Sequence, residues 1–106
     1  MDKFKERTSI VIGDQAIEKL DQASVIVFGL GGVGSYVVEA LARAGIGHLT
    51  LVDFDDVDIT NVNRQLPALH STLGCKKVDV VLDRVRDINP NIDVKDIDLD
   101  RINAKI

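Results

Sequence analysis

Four glycines fall within six residues, Gly29, Gly31, Gly32 and Gly34, in the run "VIVFGLGGVGS". Glycine permits a tight turn and lets backbone N–H groups approach a phosphate closely. A helix starting just after such a turn adds free N–H donors and the positive end of its dipole. Asp53 follows about 20 residues on, where a carboxylate at the end of the next strand accepts hydrogen bonds from a ribose. The pattern G-x-G-G-x-G plus this acid is a nucleotide cradle. It serves an NAD(P)-dependent oxidoreductase half-domain and an ATP-dependent enzyme equally well.

The residues after Asp53 separate the two. The stretch "DFDDVDITNVNRQLPALHSTLGCKKV" is polar and carries Arg64 and Lys77, thirteen residues apart. A dinucleotide's pyrophosphate has no evident need of that loop, whereas a triphosphate carries more charge. Lys77 falls in the first turn of the next helix, where a cation opposes the helix dipole and so suggests an anion nearby. The alternative is a solvated lysine, the reading given to its neighbour Lys76. Asn61, Asn63 and Gln65 bring amides to the loop, at least one of them as a loop cap. Asp55, Asp56 and Asp58 form an acidic run. Such runs are mostly solvated, but carboxylates near phosphates can hold Mg²⁺. Asp55 shares the alternation face of Asp53 and is expected to edge the pocket. Cys75, His48 and His70 have no partners at metal or nucleophile spacing and are read as structural. No C-x-x-C pair appears, so no metal ligand is assigned.

These residues need a scaffold. Asp14 reads as the N-cap of a helix carrying Ile17 and Leu20. Residues 24–29, "SVIVFG", form a β-branched run suited to a strand buried on both faces. Val33, Val37 and Leu41 then recur at helical spacing, with Ala40 and Ala44 letting the helix lie close to a sheet. Gly45 and Ile46 read as a Schellman ending. A second strand covers 48–55. A second amphipathic helix follows from Val78, Val81, Leu82, Val85 and Ile88 and stops before Pro90. A third strand covers 91–97. The order β-α-β-α-β predicts an α/β fold, a Rossmann-like parallel sheet with flanking helices and right-handed crossovers, strand order 3-2-1, one half of a doubly wound fold. The first strand is the most apolar and would be an edge, which is a liability. Residues 1–106 are therefore expected to be the front of a longer chain, or to have that edge covered by another subunit. Residues 1–22 form an arm and helix, and 23–98 the nucleotide-binding unit.

The 106 residues suit one domain, with 45% hydrophobic and 28% charged residues. The net charge of −4 gives no general pull on DNA, RNA or anionic membranes. One cysteine permits no internal disulfide and fits a cytoplasmic setting, with membrane association left open. The N-terminus lacks the apolar core of a signal peptide.

"GLGGVGS", "ALARAGIG", "LTLVDFDDVDITNVNRQ", "LGCKKV" and "INP" resemble the adenylating enzymes of the E1-like ThiF/MoeB/HesA superfamily, from about Arg7 to Pro90. "TNVNRQ" and "RVRDINP" look most like its tRNA threonylcarbamoyladenosine dehydratase branch. The spacing from Phe4 to Arg7 departs from that branch by a residue. The resemblance implies an ATP-dependent enzyme that activates a carboxylate as an acyl-adenylate, with Mg²⁺, and cyclises the threonylcarbamoyl group at position 37 of tRNA. It implies a homodimer with tRNA as substrate, or, in the alternative branch, activation of a ubiquitin-like sulfur carrier. By position, Gly29, Gly31, Gly32, Gly34, Asp53, Asp55, Asn61, Arg64, Gln65 and Lys77 would bind the nucleotide. Arg64 and Lys77 would be catalytic, joined by Arg7 as an arm arginine reaching into a partner's ATP site. The family's Mg²⁺-binding aspartate would follow a fourth strand. A nucleotide-binding scaffold without turnover is the non-enzyme alternative.

Overall fold

The computed structural model describes residues 3–99; the outer ends of the expected 1–106 span, residues 1–2 and 100–106, lie outside them. Two helices, α1 (Glu6–Ile12) and α2 (Asp14–Gln22), precede β1 (Ser24–Phe28), α3 (Gly32–Ala44), β2 (His48–Asp53), α4 (Lys77–Ile88) and β3 (Asp93–Asp98). The strands form one parallel sheet in the order β1-β2-β3, which is the expected 3-2-1 half read from its other side. Val25 pairs with Leu49, Val27 with Leu51, and Leu49 with Val94. These side chains form the core with Val38 and Ala42 of α3 and Val78, Val81 and Val85 of α4. Both helices lie on that face because both crossovers are right-handed and step the same way along the sheet.

Several local expectations change. Gly13, at φ 85°, caps α2, and Asp14 is its first residue. The inward face of α3 is Ser35, Val38 and Ala42, with Leu41 partly buried, while Val33 is 80% and Val37 42% exposed. The helical period was legible but its phase was not. The turn delivers the helix with Gly34 against it, and Ser35 ties back through Oγ to the Gly31 carbonyl at 2.5 Å. Ala42, not Ala40 or Ala44, lies inside. β1 is buried on one face only, with Ile26 and Phe28 exposed on the other.

β2 stops at Asp53 rather than running to Asp55. The Asp53 Oδ1 accepts the Asp55 N–H at 2.6 Å, a side-chain turn that breaks the extended backbone. β3 lies two residues later at its start and one at its end than expected. The Schellman ending of α3 holds as expected. Gly45, at φ 91°, donates to the Ala42 carbonyl, and Ile46 to that of Leu41, each at 3.2 Å. No helix among the described residues is long and apolar enough to cross a membrane.

Candidate functional site

The glycine turn leaves β1 at its C-terminal end. Gly29 has φ 87°, a left-handed conformation that costs an L side chain about 1–2 kcal/mol. Gly34 is required for a different reason. A Cβ there would lie 1.8 Å from the Gly29 carbonyl oxygen, so the helix could not seat against the turn. Gly31 and Gly32 are under no such demand. A Cβ on Gly32 would meet nothing within 4 Å, and one on Gly31 only Gln65 Nε2 at 3.6 Å. Two glycines thus shape the turn and two leave space over it. α3 begins at Gly32 with no side chain capping it, so its first N–H groups remain available to an anion.

Asp53 joins this turn to the following loop. It is 6% exposed; its Oδ2 accepts the Leu30 N–H at 2.7 Å and its Oδ1 the Asp55 N–H at 2.6 Å. Leu30 was invisible as a functional residue in the sequence, because it contributes only its backbone. The loop after Asp55 closes on itself. The Val57 N–H donates to Cys75, Gly74 to Val57 and Lys77 to Asp55. Lys77 is thereby drawn to the same end of the sheet. It is 4% exposed, with its ammonium 3.7 Å from Asp55 Oδ2. The anion its position called for is, in this chain, Asp55. Lys76 is no solvated lysine. It is half-buried, 3.1 Å from Asp56 and 3.8 Å from Asp98.

The other loop residues divide. Gln65 is buried beside Gly31, and its Oε1 has no hydrogen-bond partner among the described residues. Asn61 does the capping expected of one of the amides, its Oδ1 accepting the Asp58 N–H. Asp58 accepts from the Thr60 hydroxyl and N–H. Those bonds, the hydroxyl's first, hold its carboxyl below the usual range, and the Lys77 charge adds to them. Arg64 is exposed. Its Nη1 donates to the Thr60 carbonyl at 3.0 Å and to Asn63 Oδ1 at 2.8 Å, so the guanidinium rests in its own loop. Arg7 lies on α1, exposed. α1 packs on α2, whose Leu20 carbonyl accepts the Gly47 N–H ahead of β2, the end of the sheet remote from the glycine turn. The structure therefore brings together the glycines, Asp53, Asp55, Gln65 and Lys77. It leaves Arg64 at the rim and Arg7 at the far end.

Cys75 is exposed and uses only its backbone. His48 bonds Asp93 across the strands at 3.0 Å and holds that carboxyl below its usual range. A depression of about 500 Å³ lined by Phe4, Arg43, Asp87 and Ile88 opens at the C-terminal ends of α3 and α4, away from the glycine turn. Among the described residues no three His, Cys, Asp or Glu side chains gather into a metal site.

The open space at Gly31 and Gly32, the orphaned Gln65 oxygen and the Lys77 ammonium suit a nucleotide with a polyphosphate. Comparison with known proteins agrees with that geometry. The chain is 56% identical over 88 residues to the tRNA threonylcarbamoyladenosine dehydratase of Bacillus subtilis, covering 83% of this chain and 35% of that one. It is 44% identical over 77 residues to the molybdopterin-synthase adenylyltransferase of Salmonella typhimurium, covering 73% and 31%. The crystal structure of E. coli tRNA N6-threonylcarbamoyladenosine dehydratase, TcdA, in complex with ATP superposes with TM-score 0.87 at 44% identity, covering 92% and 42%. The chain thus spans about a third of the length of its curated relatives. The ThiF family model matches residues 5–105, and the chain belongs to the ThiF family.

Proposed function

We propose that the full-length protein is an ATP-dependent adenylating enzyme, the tRNA threonylcarbamoyladenosine dehydratase of its source, working in the cytoplasm as a homodimer with Mg²⁺. The carboxylate of the threonylcarbamoyl group at position 37 of tRNA attacks the α-phosphate of ATP. Pyrophosphate leaves and an acyl-adenylate forms; an internal nucleophile of the threonylcarbamoyl group then attacks the activated carbonyl, AMP leaves, the nucleophile's proton goes to solvent, and the tRNA has lost the elements of water overall. The residues of this chain bind and orient. Gly31 and Gly32 keep side chains out of the phosphate space, and the N–H groups opening α3 face it. Asp53 offers its remaining lone pairs to the ribose. Lys77 neutralises charge as it builds on the phosphates, and Arg64 does so after leaving Thr60 and Asn63. Gln65 brings its buried amide to the same space. Arg7, remote from the turn of its own chain, serves the partner's site.

One observation carries this reading. A continuous series of contacts runs from Leu30 through Asp53 and Asp55 to Lys77, whose side chain is 5% exposed and whose ammonium lies 3.7 Å from Asp55 Oδ2. A dinucleotide's pyrophosphate on the glycine turn would leave that cation unused. The test is direct. ATP with Mg²⁺ should raise the melting temperature of the full-length protein and NADH should not; the reverse would sink the proposal. Pyrophosphate release should need threonylcarbamoyl-modified tRNA. Arg64→Ala should retain the fold and lose about 10²–10³ in rate, the usual cost of one donor to a developing charge. The similarity to the molybdopterin-synthase adenylyltransferase supports a second reading, activation of a sulfur-carrier protein. Pyrophosphate release with such a carrier and none with modified tRNA would select it.

A further inference from the structure

We propose that Asp55 is a built-in stand-in for the nucleotide's phosphates: it neutralises Lys77 in the empty site and yields the ammonium to the incoming polyphosphate. The inference rests on the nucleotide reading above and assigns the acid a role within it.

Two acid–lysine pairs sit side by side, and they differ. Asp56 and Lys76 meet at 3.1 Å, their backbones form an antiparallel bridge, and Asp98 adds a second carboxylate. That pair clamps the loop shut. Asp55 and Lys77 stand at 3.7 Å, beyond hydrogen-bond reach. The lysine side chain is 5% exposed and the aspartate 52%. A buried ammonium is costly without an opposite charge, so Lys77 needs Asp55. At 3.7 Å the contact is an ion pair without a hydrogen bond, so a ligand that approaches the ammonium more closely can replace it.

The geometry also lets Asp55 withdraw. Its backbone is fixed on both sides, the N–H on Asp53 Oδ1 and the carbonyl by the Lys77 N–H. Neither bond involves the Asp55 carboxylate. That group can turn to solvent about its side-chain torsions while Lys77 stays on the first turn of α4. Asp58, whose carboxyl also feels the lysine's charge, is already engaged by Thr60. A single small anion gains little by displacing Asp55, because one charge replaces another. A polyphosphate gains, since it holds Lys77 and the glycine turn at once. Asp55 thereby keeps stray anions out and limits how tightly the nucleotide is held.

The test compares wild-type full-length protein with D55N, D56N, K77M and D55N/K77M. ATP and adenosine affinities are measured by displacement calorimetry at fixed ionic strength, with and without added Mg²⁺. D55N should tighten ATP about 3- to 10-fold and leave adenosine unchanged. D56N should not alter the ratio of the two, and in the K77M background the D55N gain should vanish. Should D55N not fold, Asp55→Ser removes the same charge and repeats the comparison. Weaker ATP binding by D55N would overturn the proposal, since Asp55 would then be a ligand. So would equal changes for ATP and adenosine, or a full gain without Lys77. A wild type that binds no ATP would instead sink the nucleotide reading, and this role with it.

Discussion

At the scale of single residues, Gly34 shapes the turn, where a Cβ would lie 1.8 Å from the Gly29 carbonyl oxygen, while Gly32 borders open space, where one would meet nothing within 4 Å. Gly34→Ala would press a Cβ into the Gly29 carbonyl. It is expected to cost at least about 1–3 kcal/mol, as overpacking does, and to lower the melting point with or without nucleotide. Gly32→Ala meets open space in a helix's first turn. It should leave stability unchanged or raise it by about 0.4–1 kcal/mol, yet weaken ATP binding about tenfold or more by occupying the phosphate space. Thermal melts and ATP titration of both variants check this. Equal behaviour of the two would remove the division between shaping and cradling glycines. The place of Asp53 at the end of β2 was legible because strand and spacing alone set it. The sequence could not show that Gln65 is buried against Gly31, or that Asp55 neutralises Lys77. Both facts depend on how a loop of some twenty residues folds back, which no periodicity encodes.

At the scale of elements, α3 and α4 are tied on their outer side by Glu39. Its carboxylate takes Arg84 at 2.6 and 3.0 Å and Arg43 at 3.0 Å. The hydrogen bonds from Arg84, first among the causes, hold the Glu39 carboxyl below the usual range against the effect of burial. The folded protein thus binds that proton less readily than the unfolded chain. The contribution to stability is present above the ordinary carboxylate range and fades as pH falls through the depressed folded value. Glu39→Gln should cost about 1 kcal/mol near neutral pH, discounted because Arg84 is 41% exposed. It should cost nothing in strong acid. Urea unfolding at both ends of that range measures it, and a deficit independent of pH would refute the ion-pair account. Gly45→Ala tests the other end of α3. It forces a side chain to φ 91° and places a Cβ 3.0 Å from the buried Lys5 stem. A loss of about 1–2 kcal/mol is expected in the same experiment. The Schellman ending was legible because glycine followed by an apolar residue is a local signal. The phase of α3 was not. Val33 and Val37 carry the apolar period as well as Val38 does, and only the seating of Gly34 and Ser35 on the turn decides which row faces the sheet.

At the scale of the whole molecule, the two edges of the sheet are built differently. β3 is mostly charged, with Asp93, Lys95, Asp96 and Asp98 around Val94 and Ile97, the composition of a strand that resists further pairing. β1, the other edge, carries Ile26 and Phe28 at 55% and 76% exposure. α3, which packs on β1, adds exposed Val33, Tyr36 and Val37. The strand order itself was legible from the alternation of strand and helix, since right-handed crossovers leave few alternatives. The asymmetry of the edges followed from composition alone. An apolar edge of this kind associates in isolation. Residues 1–106 produced alone are therefore expected to sediment as oligomers. Ile26→Lys with Phe28→Lys should return the fragment toward the monomer. In the full-length protein the same pair should do the opposite of help. If further chain or a second subunit covers β1, two buried ammonium groups lose their water and the melting temperature falls by about 5–10 °C or more. A full-length double variant that melts like wild type would show that β1 faces solvent in the full-length protein, and the half-sheet would then have to be stable with an exposed apolar edge.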